Sequence, residues 1–167
     1  LAYKSNKNGL QNNLIKALHA DKEGHLWIES ISWLSKLDTE KEIWSHRHHP
    51  MAIFEGDYFY HHIFEDSKNN LWLGGRGTAL TKVPNKNLYS MSFFERPLFE
   101  ASSFTETPDG NLYFTYYNQI LMQYNPLKDS IEIILDKTAI SPITSTCDKN
   151  GNLWLGGEGG IAIINPR

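Results

Sequence analysis

Short apolar runs alternate with polar, turn-forming clusters along the whole chain, and four stretches carry one pattern: DKEGHLWI at 21–28, DSKNNLWL at 66–73, TPDGNLYF at 107–114 and DKNGNLWL at 148–155. The aromatic positions of that pattern, Trp27, Trp72, Tyr113 and Trp154, lie 45, 41 and 41 residues apart. A near-constant period of this kind marks a repeat architecture. Each unit opens on turn chemistry. An Asp side chain can bond backbone amides ahead of it, and Gly or Asn tolerates positive φ. The following Leu-aromatic-apolar run reads as a short buried strand, closed by glycine pairs at 74–75 and 156–157. A strand is predicted before each turn, at 14–20, 58–65, 102–106 and 143–147, and a third after it, at 33–37, 79–83, 120–124 and 161–164. A fourth follows in the first three units, at 41–44, 88–94 and 131–135. The stretch 11–21 also fits a helical period, but it aligns with the other first strands, so the repeat predicts a strand there.

Four short strands in about 41 residues is the signature of a β-propeller blade. The predicted fold is all-β, a propeller of four-stranded antiparallel blades with about four repeats. Blade 1 spans 14–45, blade 2 58–95, blade 3 101–136 and blade 4 142–167, the last without its outer strand. Residues 1–4 read as an orphan outer strand. Pairing of 1–4 with 161–164 would close a four-blade ring; nothing in the sequence signals such tight curvature, so an arc of a larger propeller is expected. The four aromatic anchors are read as blade-to-blade packing residues, as are Trp33 and Trp44.

Composition narrows the functional classes. The 167 residues are 40% hydrophobic and 21% charged, with a net charge of −3 and no block of like charges. A basic stripe for nucleic acid is therefore missing, as is an apolar run long enough for a membrane helix. One cysteine excludes an internal disulfide framework. No cofactor motif, nucleophile elbow or phosphate loop is present.

The repeated Asp-x-x-Gly-Asn-Leu-Trp-Leu-Gly-Gly pattern, best at 148–160 with its Asn165-Pro166 ending, resembles the two-component-regulator propeller repeat. The NGLQNN lead-in at 8–13 is similar to the stretch that precedes such repeats. The third copy departs at Thr107 and Tyr113, and the first has Glu29-Ser30 where the second and fourth have a glycine pair. The resemblance implies a segment of the periplasmic sensor region of a hybrid two-component histidine kinase of Bacteroides type, anchored in the inner membrane. It implies a glycan-responsive role, an oligosaccharide or polysaccharide ligand, and neighbouring blades or a second sensor chain as partners.

Propeller ligands bind where loops join an outer strand to the next inner strand and a second strand to the third. The unusual residues fall there. A sugar site wants aromatic faces with charged or amide groups for hydroxyls, and Arg47, Arg76, Tyr116, Tyr117 and Glu158 supply these types. The run 45–50 is read as a loop bearing His46, His48 and His49, weak metal candidates whose spacing fits no common zinc motif. His61 and His62 should point to opposite faces of a strand, so at most one joins a cluster. Two alternatives stand beside the sensor: an interaction scaffold, and a carbohydrate-active lyase or hydrolase with Glu29 and Glu158 facing across a closed ring.

Overall fold

The computed structural model describes residues 9–49, 61–75, 78–94, 101–116 and 119–166. Each repeat folds into one antiparallel meander. Blade 1 contains β1 (Ile15–Ala20), β2 (His25–Ser30), β3 (Trp33–Asp38) and β4 (Ile43–His48). Blade 2 contains β5 (His61–Glu65), β6 (Leu71–Gly75), β7 (Thr78–Val83) and β8 (Ser92–Phe94). Blade 3 contains β9 (Ala101–Glu106), β10 (Leu112–Tyr116), β11 (Ile120–Asn125) and β12 (Ser130–Leu135). Blade 4 is a three-stranded sheet of β13 (Ser141–Cys147), β14 (Leu153–Glu158) and β15 (Gly160–Ile164). The first strands β1, β5, β9 and β13 lie side by side in that order. The blades therefore stack face to face around them, and the arc is open among the described residues.

The motif explains both the hairpin and the packing. Asp66 accepts the Lys68 and Asn70 amides on Oδ1 at 3.0 and 2.8 Å, while its Oδ2 accepts the Trp72 indole N–H at 2.8 Å. Asp21 and Asp148 repeat this with Trp27 and Trp154. The carboxylate thus fixes the turn and orients the anchor together. Blade 3 changes both partners: Tyr113 has no indole N–H, and Thr107 takes the Asp position and bonds the Asn111 carbonyl instead. Gly24, Asn69, Gly110 and Gly151 all hold φ between +68° and +86°, which is why that turn position is Gly or Asn.

Strand alternation turns each anchor toward the next blade. Trp27 packs with Leu71, Leu73 and Val83 of blade 2. Trp72 packs with Ala101, Phe104 and Phe114 of blade 3, and Tyr113 with Leu153 and Leu155 of blade 4. Trp154 has no described blade beyond it and is 39% exposed, beside Ile161 and Ile163.

Several elements differ from expectation. β4 begins at Ile43 and continues through His48, so 45–48 is strand rather than loop. The cause is Asp38, whose side chain accepts the Glu40 and Lys41 amides and pins a turn there, delaying the strand. Residues 88–90 form a 3-10 turn, capped by the Asn87 side chain on the Tyr89 amide, and leave only β8 as outer strand. Trp44 covers Leu10, Ile28 and Leu37 on the face of blade 1 away from blade 2, rather than packing in that seam. The expected strand at 1–4 and the first residues of 58–65 lie outside the described residues.

Candidate functional site

In every blade the end of the second strand and the starts of the first and third share one rim, joined by the end of the fourth strand in blades 1 to 3. In blade 1 the row is Ile15, Ser30, Trp33 and His48. His61 with Gly75, Ala101 with Tyr116 and Ser141 with Glu158 continue it. The rims are continuous across the seams, since a Cβ on Gly74 would touch Ala101 and Ser102 Oγ donates to the Pro142 carbonyl at 3.1 Å.

The expected sugar-binding residues are distributed along this rim. Arg47 lies on β4 beside Leu34, and Glu158 ends β14, three blades away. Tyr116 does not present its ring; it is buried in the cluster around Trp72 and Phe114, because the last residue of β10 faces the core. Arg76 and Tyr117 lie outside the described residues. The histidines also separate. The His46 ring bonds Ser35 Oγ at 2.9 Å and stacks on Trp44, and His48 meets Trp33 edge-on. His49 leaves β4 and enters the seam with blade 2.

A concave surface does form on the first strands. A cleft of 370 Å³ is lined by His62, Ile63 and Phe64 of β5, Ser103 and Phe104 of β9, and Ile143, Thr144 and Ser145 of β13. Three successive blades thus contribute to one wall. Ser103 bonds Ser145 at 2.7 Å and also Thr115, and Ser145 bonds Thr105, so the hydroxyls form a ladder across the blade 3–blade 4 seam. Phe64 and Phe104 stack beneath at 5.9 Å. Alternating polar and apolar positions on strands of fixed spacing make this mixed lining, and no motif flags it in the sequence.

Two clusters of ionisable groups occupy the blade 1–blade 2 seam. At the rim, Glu29, His49 and His61 meet with side chains at most 1% exposed. His61 does turn away from His62, one entering the seam and the other the cleft. Glu29 faces these imidazoles rather than Glu158. Sequence reasoning noted Glu29 as a departure from the glycine pair and as a carboxylate facing Glu158 across a closed ring, not as a partner of His49 and His61; the departure was the available signal.

At the opposite edge, the buried Lys86 Nζ lies 2.9 Å from Glu65, 3.3 Å from Glu23 and 3.7 Å from Asp21. Asp21, Glu23 and His25 hold ligating atoms within 4.8 Å of one another, but the Lys86 ammonium already supplies the cation for these carboxylates. Burial pushes the Lys86 ammonium down, and the Glu65, Glu23 and Asp21 carboxylates outweigh it and hold it above its ordinary value. Burial pushes the Asp21 carboxyl up; the Trp27 indole, the His25 and Glu23 amides and Lys86 bring it down to about 2.

That shift makes the seam acid-sensitive. A carboxyl depressed in the folded state stabilises it above the unfolded value, near 4, and loses that contribution as pH falls through about 2. Urea midpoints at pH 5 and pH 2 should therefore converge in Asp21→Asn relative to the parent chain. The parent should lose roughly 1–2 kcal/mol more over that window, a range discounted for the water-exposed neighbour Glu23. Equal losses in both proteins would remove Asp21 from the acid response.

Meander sheets stacked face to face around their first strands define an arc of a β-propeller. Residues 54–77 match the family model described as two component regulator propeller. No match is found among the curated proteins. Among solved structures, the chain is similar to one described as the extracellular domain of a hybrid two component system from B. thetaiotaomicron. The identity is 22%, with 99% of this chain and 24% of that chain covered and a TM-score of 0.62. A second such domain from B. thetaiotaomicron gives 18%, 99%, 23% and 0.69 in the same order. Virginiamycin B lyase from Staphylococcus aureus gives 18%, 90%, 55% and 0.63. This chain spans about a quarter of the first two. The shared property is the fold, which serves an extracellular domain and a lyase alike.

Proposed function

We propose that the chain is a ligand-sensing segment of the extracytoplasmic, periplasmic region of a two-component sensor kinase, with no chemistry of its own and an oligosaccharide as ligand. The first-strand cleft carries this reading. Its stacked Phe64 and Phe104 and its Ile63 and Ile143 offer apolar surface for sugar C–H faces, while His62, Thr144 and the Ser103–Ser145 pair offer partners for hydroxyls. The repeat matched at 54–77 and the fold of the two extracellular domains support the setting. No described helix is long and apolar enough to cross a membrane.

Thermal denaturation against mono-, oligo- and polysaccharides tests it. A ligand at one hundred times its Kd adds about 2.7 kcal/mol to the folded state. The midpoint should then rise by roughly 5–10 °C for a domain of this size. His62→Ala and Thr144→Ala, both at exposed positions, should abolish the rise without lowering the ligand-free midpoint. A flat response to every saccharide would sink the glycan reading and leave the scaffold.

A further inference from the structure

We propose that Glu29, His49 and His61 form a binding site for a divalent transition metal of the zinc class, clamping blade 1 to blade 2. The three side chains come from the end of β2, the residue after β4 and the start of β5, and all are at most 1% exposed. Among the described residues, both oxygens of Glu29, both ring nitrogens of His61 and His49 Nδ1 are buried without a hydrogen-bond partner. Burying a carboxylate and two imidazoles in this state is costly unless something couples them.

The position is specific to this seam. Two residues beyond the aromatic anchor, on the same strand face, the blades carry Glu29, Gly74, Thr115 and Gly156. At the next seam Gly74 approaches Ala101, the first residue of β9. Glu29 approaches His61, the first residue of β5, in the equivalent place. A contact between small residues in one seam is thus replaced in the other by a carboxylate and an imidazole.

The hydrogen bonds around His49 fix what it can do. Thr81 Oγ1 lies 2.9 Å from the Ala79 carbonyl, which only accepts, so the hydroxyl proton goes there. The Thr81 oxygen is left to accept from His49 Nε2, also at 2.9 Å. In the neutral ring Nε2 therefore carries the proton, and Nδ1 turns its lone pair toward Glu29 Oε1 at 3.9 Å. Two electron-pair donors facing each other in a dry seam repel unless a cation lies between them. An imidazole whose other N–H is held by an oxygen is the usual arrangement around a bound metal.

Imidazole and carboxylate together suit zinc. Ligands at about 2.0–2.1 Å in tetrahedral array stand roughly 3.4 Å apart. His61 Nδ1 and Glu29 Oε1 are 3.3 Å apart. His49 Nδ1 must move in from its 3.9 Å stand-off from Glu29 to complete a three-ligand set with its fourth position open. Loading of so buried a site is coupled to folding of the seam.

The test is calorimetric titration of Zn²⁺ into the chelator-treated 167-residue chain at pH 7.5, paired with its thermal midpoint. One saturable equivalent and a higher midpoint are expected. Glu29→Gln and His61→Asn should each weaken binding at least tenfold, and Thr81→Val about 10- to 100-fold through loss of the His49 tautomer. His25→Asn, in the Asp21–Lys86 cluster, should bind like the parent. X-ray absorption of the zinc-loaded parent should show two imidazole ligands, a reading that stands even where a variant does not fold. No saturable equivalent, fewer than two imidazoles at the metal, or loss of binding in His25→Asn instead would each overturn the proposal.

Discussion

Trp72→Ala should cost the chain about 3–5 kcal/mol, while Trp154→Ala, at the same position of the same motif, should cost only about 1 kcal/mol. The two side chains share their polar anchor: each donates its indole N–H to the Asp six residues before it, Asp66 or Asp148. They differ in what covers them. Trp72 is fully buried, with Tyr124 and Phe114 of blade 3 at centroid distances of 4.7 and 5.3 Å. Its removal leaves a cavity in a seam whose walls are two hydrogen-bonded sheets that cannot collapse into it. Trp154 lines an open groove of 290 Å³ with Leu155 and Ile161, so its truncation removes contacts without making an enclosed void. At about 2–4 °C per kcal/mol, Trp72→Ala should lower the thermal midpoint by roughly 10 °C, several times the effect of Trp154→Ala. Urea unfolding of both variants at pH 7 measures the contrast. Equal losses would mean that the anchor stabilises its own hairpin rather than the seam to the next blade.

That contrast rests on a part of the fold that was legible in the sequence. The period of the aromatic anchors, the turn residues before them and the strand alternation give the meander and the direction each anchor faces. These are local signals, and the repeat multiplies them. What the sequence did not reveal depends on neighbours. The delayed start of β4 follows from Asp38 capping a turn, a choice between two similar hairpins. Tyr116 looked like a surface ring because it sits at a strand end, and alternation sends it into the core. The joint change of Thr107 and Tyr113 was visible as two departures, but the hydrogen bond that links Asp to the indole was not. Glu29 read as a lapse from a glycine pair; only the seam geometry places it against His61 and His49. The first-strand cleft is assembled from three blades, so no single motif could announce it.

Gly157→Ala carries the second large effect, expected near 3 kcal/mol, at the upper end of the cost of overpacking. A Cβ at this position would stand 2.0 Å from the Ser141 carbonyl oxygen and 2.9 Å from Pro142 Cα. Both are backbone atoms of the paired strand β13, at the irregularity in register between Pro142 and Thr144. Neither can swing aside as a side-chain end could, so β13 must move away from β14, and Ser102 loses its Pro142 acceptor across the seam. Gly24→Ala supplies the control. There a Cβ meets nothing within 4 Å, and the cost of about 1 kcal/mol comes only from a φ of +86°. The two causes separate by rescue. Asn occupies the matching turn position in blade 2, at Asn69 with φ +68°, so Gly24→Asn should recover most of the loss. Gly157→Asn should be at least as damaging as Gly157→Ala, since a larger side chain deepens a steric conflict and relieves no dihedral one. Chemical denaturation of the four variants decides between these origins. A Gly157→Ala loss no larger than that of Gly24→Ala would mean that β13 and β14 have room to spread, and that the close approach at the blade 4 rim is not what holds the last sheet to its neighbour.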